Sequence, residues 1–125
     1  METVRFSLGG FLFEYDEDKN RKNLEKHGIS LKVAARVFFD YDRIEMFDEE
    51  HSSQEDRYNT IGDTSAGAVI GNLSADETKP SDILFVVYTE RETITEGGKS
   101  AEVTRLISAR LATSFERGLY YGKHS

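Results

Sequence analysis

Residues 13–29 constrain the fold more than any other stretch of the chain. An apolar alternation carried by Phe11, Phe13 and Tyr15 reads as a strand, and it runs directly into Asp16-Glu17-Asp18-Lys19, the start of a helix with almost no apolar residue. Asp16 suits the N-cap, Glu17 and Asp18 set negative charge at the positive end of the helix dipole, and Lys26 and His27 fall in the last turn, where positive charge is favoured. Gly28 supplies the left-handed stop. At about 100° per residue, Asn20, Asn23, Leu24 and His27 share one face, with Lys19, Lys22 and Lys26 as a basic stripe beside it. Asparagine is a poor helix former, so two of them on a face that should pack inward need partners there. Either a satisfied polar network clamps this helix to a sheet, or the face takes part in chemistry.

The flanking segments follow ordinary α+β patterns. Val4, Phe6 and Leu8 alternate before Gly9-Gly10, which makes the first strand and the next a hairpin closed by a two-glycine turn. Ser30 caps a second helix in which Leu31, Ala34, Val37 and Phe38 recur at helical spacing, with Lys32 and Arg36 outside. Residues 43–47 and 57–62 read as strands around the charged loop 48–54. The run Ile83-Leu84-Phe85-Val86-Val87-Tyr88 is the expected central strand. Residues 103–110 form the last strand, with Leu106, Ser108 and Arg110 on one face and Arg105, Ile107 and Ala109 on the other. Thr113-Ser114-Phe115-Glu116 matches a capping box at the start of a short terminal helix. Residues 71–82 and 92–100 are polar and glycine-bearing, so they read as long hairpin loops. The expected fold is α+β: an antiparallel meander with two N-terminal helices packed on it and a short C-terminal helix. Phe13, Leu24, Val37, Phe38, Leu84, Val86 and Leu106 are its expected core.

Residues 1–125 are read as a single domain, long enough to bury one core without staples. There is no cysteine, which excludes disulfides and thiolate metal sites and makes an intracellular setting the default. No apolar run suits a transmembrane helix and the first residues lack a signal-peptide layout, so a soluble, cytoplasmic protein with no membrane partner is expected. The formal net charge of −7 is hostile to nucleic acid, but its distribution is uneven. Residues 41–102 hold fifteen acidic and five basic side chains, whereas residues 103–125 hold four basic and one acidic. A basic patch from the first helix and the C-terminal segment is compatible with an acidic face elsewhere. His27, His51 and His124 have no metal-ligand spacing, and neither a P-loop nor a Gly-x-Ser-x-Gly elbow occurs, so no metal and no cofactor is expected.

Taken together, these residues resemble the BrnT family, ribonuclease toxins of type II toxin-antitoxin pairs with a RelE-like fold. The likeness is carried by Phe13, Tyr15-Asp16, Lys19, Asn23, Lys26-His27-Gly28-Ile29 and Ala34-Ala35. Asp56-Arg57 with Ile61-Gly62 and Tyr88-Thr89-Glu90-Arg91 follow, then Arg105-Leu106-Ile107-Ser108-Ala109-Arg110 with Ala112, Glu116 and Arg117. Tyr15 stands where the family commonly has Trp, and residues 63–82 and 92–102 look like insertions into tighter hairpins. The resemblance implies a metal-independent endoribonuclease that inhibits translation. It also implies a partner, a BrnA-like antitoxin with a DNA-binding domain, that silences the toxin in a hetero-oligomer. A reading from a different class is a non-catalytic module that binds the antitoxin and takes part in operon autorepression.

Metal-free RNA cleavage needs a base for the ribose 2′-hydroxyl, charge stabilisation at the phosphate and a proton for the leaving oxygen. Arg57, Arg91 and Arg110 are the expected phosphate-stabilising residues, because a planar guanidinium matches phosphate oxygens and they sit in or near three different strands. His27 is the expected proton carrier, since imidazole exchanges protons near neutral pH. Lys19, Lys22, Lys26 and Arg105 are the expected RNA-binding residues. Structural alternatives stand beside each role. Arg57 and Arg91 follow Asp56 and Glu90 and suit surface ion pairs, Arg110 can satisfy carbonyls, and Glu116 can be only a capping partner. His51 lies in a loop and His124 in a tail.

Overall fold

Gly9 and Gly10 both take positive φ, 56° and 82°, the backbone of a two-residue hairpin turn. They join β1 (Thr3–Leu8) to β2 (Phe11–Asp16) in antiparallel register, Leu8 opposite Phe11. The computed structural model describes residues 2–65 and 82–122. β2 delivers the chain into α1 (Glu17–His27), which starts where Asp16 Oδ1 accepts the Asp18 N–H at 2.8 Å. It stops where Gly28, at φ 70°, donates its N–H to the Leu24 carbonyl. The second helix opens with Ser30 Oγ accepting the Val33 N–H at 3.1 Å. It is one α-turn, α2 (Leu31–Ala34), tightened into a 3₁₀ segment, Ala35–Phe39. β3 (Ile44–Phe47), β4 (Tyr58–Asp63), β5 (Ile83–Ile94), β6 (Ser100–Leu111) and α3 (Ser114–Gly122) complete the order.

All six strands form one sheet in the order β1-β2-β6-β5-β4-β3. The β3 to β6 portion is the expected antiparallel meander, but the sheet as a whole is mixed. β2 pairs parallel with β6, Phe13 opposite Thr104 and Tyr15 opposite Leu106. The helices carry the chain to the far edge, and the fourth returning strand arrives beside β2 running the same way. No local pattern encodes that pairing.

The pleat separates two faces. Phe13, Tyr15, Leu84, Val86, Tyr88, Leu106 and Ala109 point to the helical side, where Leu31, Ala34, Ala35 and Val37 complete the core and Phe38 packs partly buried against it. Gly62 belongs to this face, where a Cβ would come within 3.0 Å of Val37 Cβ; only glycine lets the 3₁₀ segment sit this close. Ile61, Ile83 and Phe85 point the other way, and α3 covers that end of the second face through Tyr120, whose hydroxyl donates to Asp40 Oδ2 at 2.5 Å.

Four expectations need correcting. Leu24 is 42% exposed and not core. Asn20 and Asn23 take the inward position, which rotates Leu24 out. Arg36 is buried, not outside, because the 3₁₀ segment advances about 120° per residue instead of 100° and turns it inward. Residues 92–94 and 100–102 are strand: β5 and β6 run on as a long hairpin, Ile94 opposite Ser100, turned by Gly98 at φ 77°. Finally, β6 carries a bulge. Val87 faces Ser108 and Tyr88 faces Leu106, which leaves Ile107 without a partner and reverses the alternation beyond it. Leu106 and Ala109 therefore share the core face, while Arg105, Ser108 and Arg110 share the other. The loop expected at 71–82 lies outside the described residues apart from Asp82.

Candidate active site

The second face, beyond the part that α3 covers, carries the arginines. Arg110 sits opposite Phe85 across the β5–β6 ladder, and its guanidinium stacks 4.3 Å above the Phe85 ring centroid. It donates to both oxygens of Glu116, at 2.7 and 2.9 Å, and to the Leu111 carbonyl. Glu116 also closes the expected capping box, its Oε1 accepting the Thr113 N–H while Thr113 Oγ1 accepts the Glu116 N–H. The Arg110 guanidinium holds the Glu116 carboxyl below its ordinary range despite partial burial, and Glu116 raises Arg110 in turn.

Arg57 immediately precedes β4 and lines two neighbouring clefts. One is shared with Asp48, His51, Asn59, Ser108 and Arg110, the other with His51, Glu55 and Arg91. Arg91 pairs with Glu55 at 3.0 Å. Arg57 has no carboxylate partner among the described residues. The three expected arginines thus gather along one face, joined by the clefts that Arg57 borders.

Two other expectations do not meet there. His27 is half-buried at the end of α1 and lines neither cleft. Arg105 lies on the arginine face, but its guanidinium is turned onto buried Glu14 at 2.6 Å, and Arg5 donates to the same carboxylate at 2.8 Å. Burial would push the Glu14 carboxyl up, but the two arginines hold it below the usual range. Arg105 is a buttress across β1, β2 and β6. Lys19, Lys22 and Lys26 are exposed on α1 as expected.

The asparagines of α1 are the clamp. β2 pairs with β6 only as far as Leu106, and Asn23 covers the edge that follows. Its Nδ2 donates to the carbonyls of Ala109 and Ile29, both at 2.8 Å, and its Oδ1 accepts the Ala109 N–H at 3.0 Å. Asn20 Oδ1 accepts the Leu31 N–H.

In the sequence His51 reads only as a loop residue. The β3–β4 loop folds back so that Asp48 N–H donates to the Arg57 carbonyl, and this brings His51 to the wall of both clefts. Its only local signal was an aspartate three residues earlier.

A mixed sheet with arginines gathered on one open face defines a small α+β protein equipped to hold an anion. The model of one family, the ribonuclease toxin BrnT of type II toxin-antitoxin systems, matches residues 15–116, which include every arginine of the clefts. The chain belongs to this family of ribonuclease toxins. Comparison with curated proteins gives no match.

Proposed function

We propose that this chain is a metal-independent endoribonuclease that cleaves RNA at the arginine clefts and so inhibits translation. The observation that carries the reading is the gathering of Arg57, Arg91 and Arg110 on one sheet face. A phosphodiester gains negative charge as its 2′-oxygen attacks, and fixed guanidinium donors stabilise the charge where it develops. Arg57 is unmatched by a carboxylate among the described residues and meets the phosphate first. Arg91 and Arg110 exchange partly exposed carboxylate contacts for phosphate oxygens. Lys19, Lys22 and Lys26 add salt-sensitive contacts to the RNA backbone.

The partner in this reading is a protein antitoxin with a DNA-binding domain, which silences the enzyme in a hetero-oligomer in the cytoplasm. No helix among the described residues is long and apolar enough to cross a membrane. One observation favours a non-catalytic binding module instead: Arg91 and Arg110 already hold carboxylates. Induced expression without an antitoxin, followed by primer extension on cellular RNA, separates the two. Growth arrest with fixed cleavage stops is expected; normal growth without stops supports the module.

A further inference from the structure

We propose that His51 is a catalytic residue of these clefts, the base that takes the proton of the ribose 2′-hydroxyl, and that Asp48 positions it. The assignment rests on the ribonuclease reading above. Its first support is that the loop is tied at several points. Asp48 N–H donates to the Arg57 carbonyl at 2.9 Å, Arg57 N–H donates to Ser52 Oγ at 2.9 Å, and the Ser52 hydroxyl donates to the Asp48 carbonyl. The loop therefore brings His51 to the same clefts as Arg57.

The second support is the orientation of the ring. His51 Nδ1 lies 2.9 Å from Asp48 Oδ2 and 3.2 Å from Oδ1, and the His51 N–H also donates to Oδ1. Carboxylate oxygens only accept, so Nδ1 carries the hydrogen, and in the neutral ring the lone pair is on Nε2. The ring is 60% exposed and within reach of an RNA strand. Beyond Asp48, the charged groups that share its clefts are Glu50, Glu55, Arg57, Arg91 and Arg110. A base beside guanidinium groups suits a substrate whose nucleophile and phosphate are adjacent on one nucleotide.

The step is an internal transesterification. Nε2 takes the 2′-hydroxyl proton, the 2′-oxygen bonds to phosphorus, and the bond from phosphorus to the 5′-oxygen breaks. The products are a 2′,3′-cyclic phosphate and a 5′-hydroxyl, which takes its proton from solvent as the imidazolium returns one. No oxidant, metal or co-reactant other than water enters.

The test is single-turnover cleavage of an RNA oligonucleotide by the full chain in excess chelator, across about pH 5 to 9. The wild-type rate is expected to climb with pH and then to level, the profile of a reaction that needs a base. His51→Ala and His51→Gln are expected to lose about 10²–10⁴-fold in rate and the climb with it, with partial rescue of the alanine variant by free imidazole. Affinity for an oligonucleotide with a 2′-deoxy sugar at the cleavage position should stay within about twofold. Asp48→Asn should lower the rate by about 10-fold and remove the single-tautomer signature of His51 in its nitrogen NMR spectrum. An active wild type whose two His51 variants keep its rate overturns the assignment alone. Equal losses of affinity and rate also overturn it, by making His51 a binding residue. An inert wild type overturns the ribonuclease reading and the assignment together.

Discussion

Arg110 and Glu116 share two hydrogen bonds, 2.7 and 2.9 Å long, that tie the last strand of the sheet to the helix after it. The same carboxylate accepts the Thr113 N–H that opens α3. A local capping motif therefore also fixes a guanidinium of the candidate site, which stacks on the Phe85 ring and lines the cleft shared with Arg57.

This arrangement makes stability depend on acid pH. In the folded chain Arg110 holds the Glu116 carboxyl low. Glu14 shifts the same way: burial would raise it, and Arg5 and Arg105 overcome that effect. A carboxyl depressed in the folded state contributes stability that is fully present above its unfolded value, about 4.3, and is lost as pH falls through the folded value. Urea unfolding at stepped pH should show stability falling below about pH 4, with a shallower decline for the Glu14→Gln, Glu116→Gln double variant. Superimposable acid limbs would contradict this.

Asn23 is expected to be a stability residue. Asn23→Ala leaves the buried N–H and carbonyl of Ala109 without a partner, a cost of about 2–4 kcal/mol in urea unfolding. Asn23→Asp should not rescue it, because it sets a carboxylate oxygen against the carbonyls of Ala109 and Ile29. A cost below about 0.5 kcal/mol for either variant would place the clamp elsewhere.

The parts legible in the sequence are those whose causes are local. The glycine hairpin, the caps of α1 and the Thr113-Glu116 box each depend on residues within a few positions, and all form as read. A clamp is one of the two roles the sequence leaves open for the polar face of α1, and the edge it grips is not legible, since Ala109 is 86 residues away. The bulge at Ile107 leaves no signature in an alternating strand, so the alternation puts Arg105 on the face opposite Arg110. Its tie to Glu14 depends on the parallel pairing of β2 with β6, which is equally non-local. His51 reads only as a loop residue for a similar reason: it shares a cleft with Arg110 because the β3–β4 loop folds back onto Arg57.

The exposed lysines of α1 are expected to act on affinity and not on the chemical step. Reversing Lys19 and Lys22 to Glu should weaken RNA binding and lower its salt slope by about 2, while the rate at saturating RNA is unchanged. Filter binding over a salt series checks the first and single-turnover kinetics the second. Unchanged affinity would mean that RNA does not cross this helix.

The central claim is that the arginine clefts cleave RNA, and Arg57→Ala tests it most directly, because that guanidinium has no carboxylate partner among the described residues to lose. The measurement is the single-turnover cleavage rate of purified wild type and variant on one RNA in excess chelator. Wild type should yield 2′,3′-cyclic phosphate ends, and Arg57→Ala should be slower by about 10²–10³-fold with unfolding behaviour unchanged. Equal rates for the two proteins, or a wild type that leaves the RNA intact, would contradict the account.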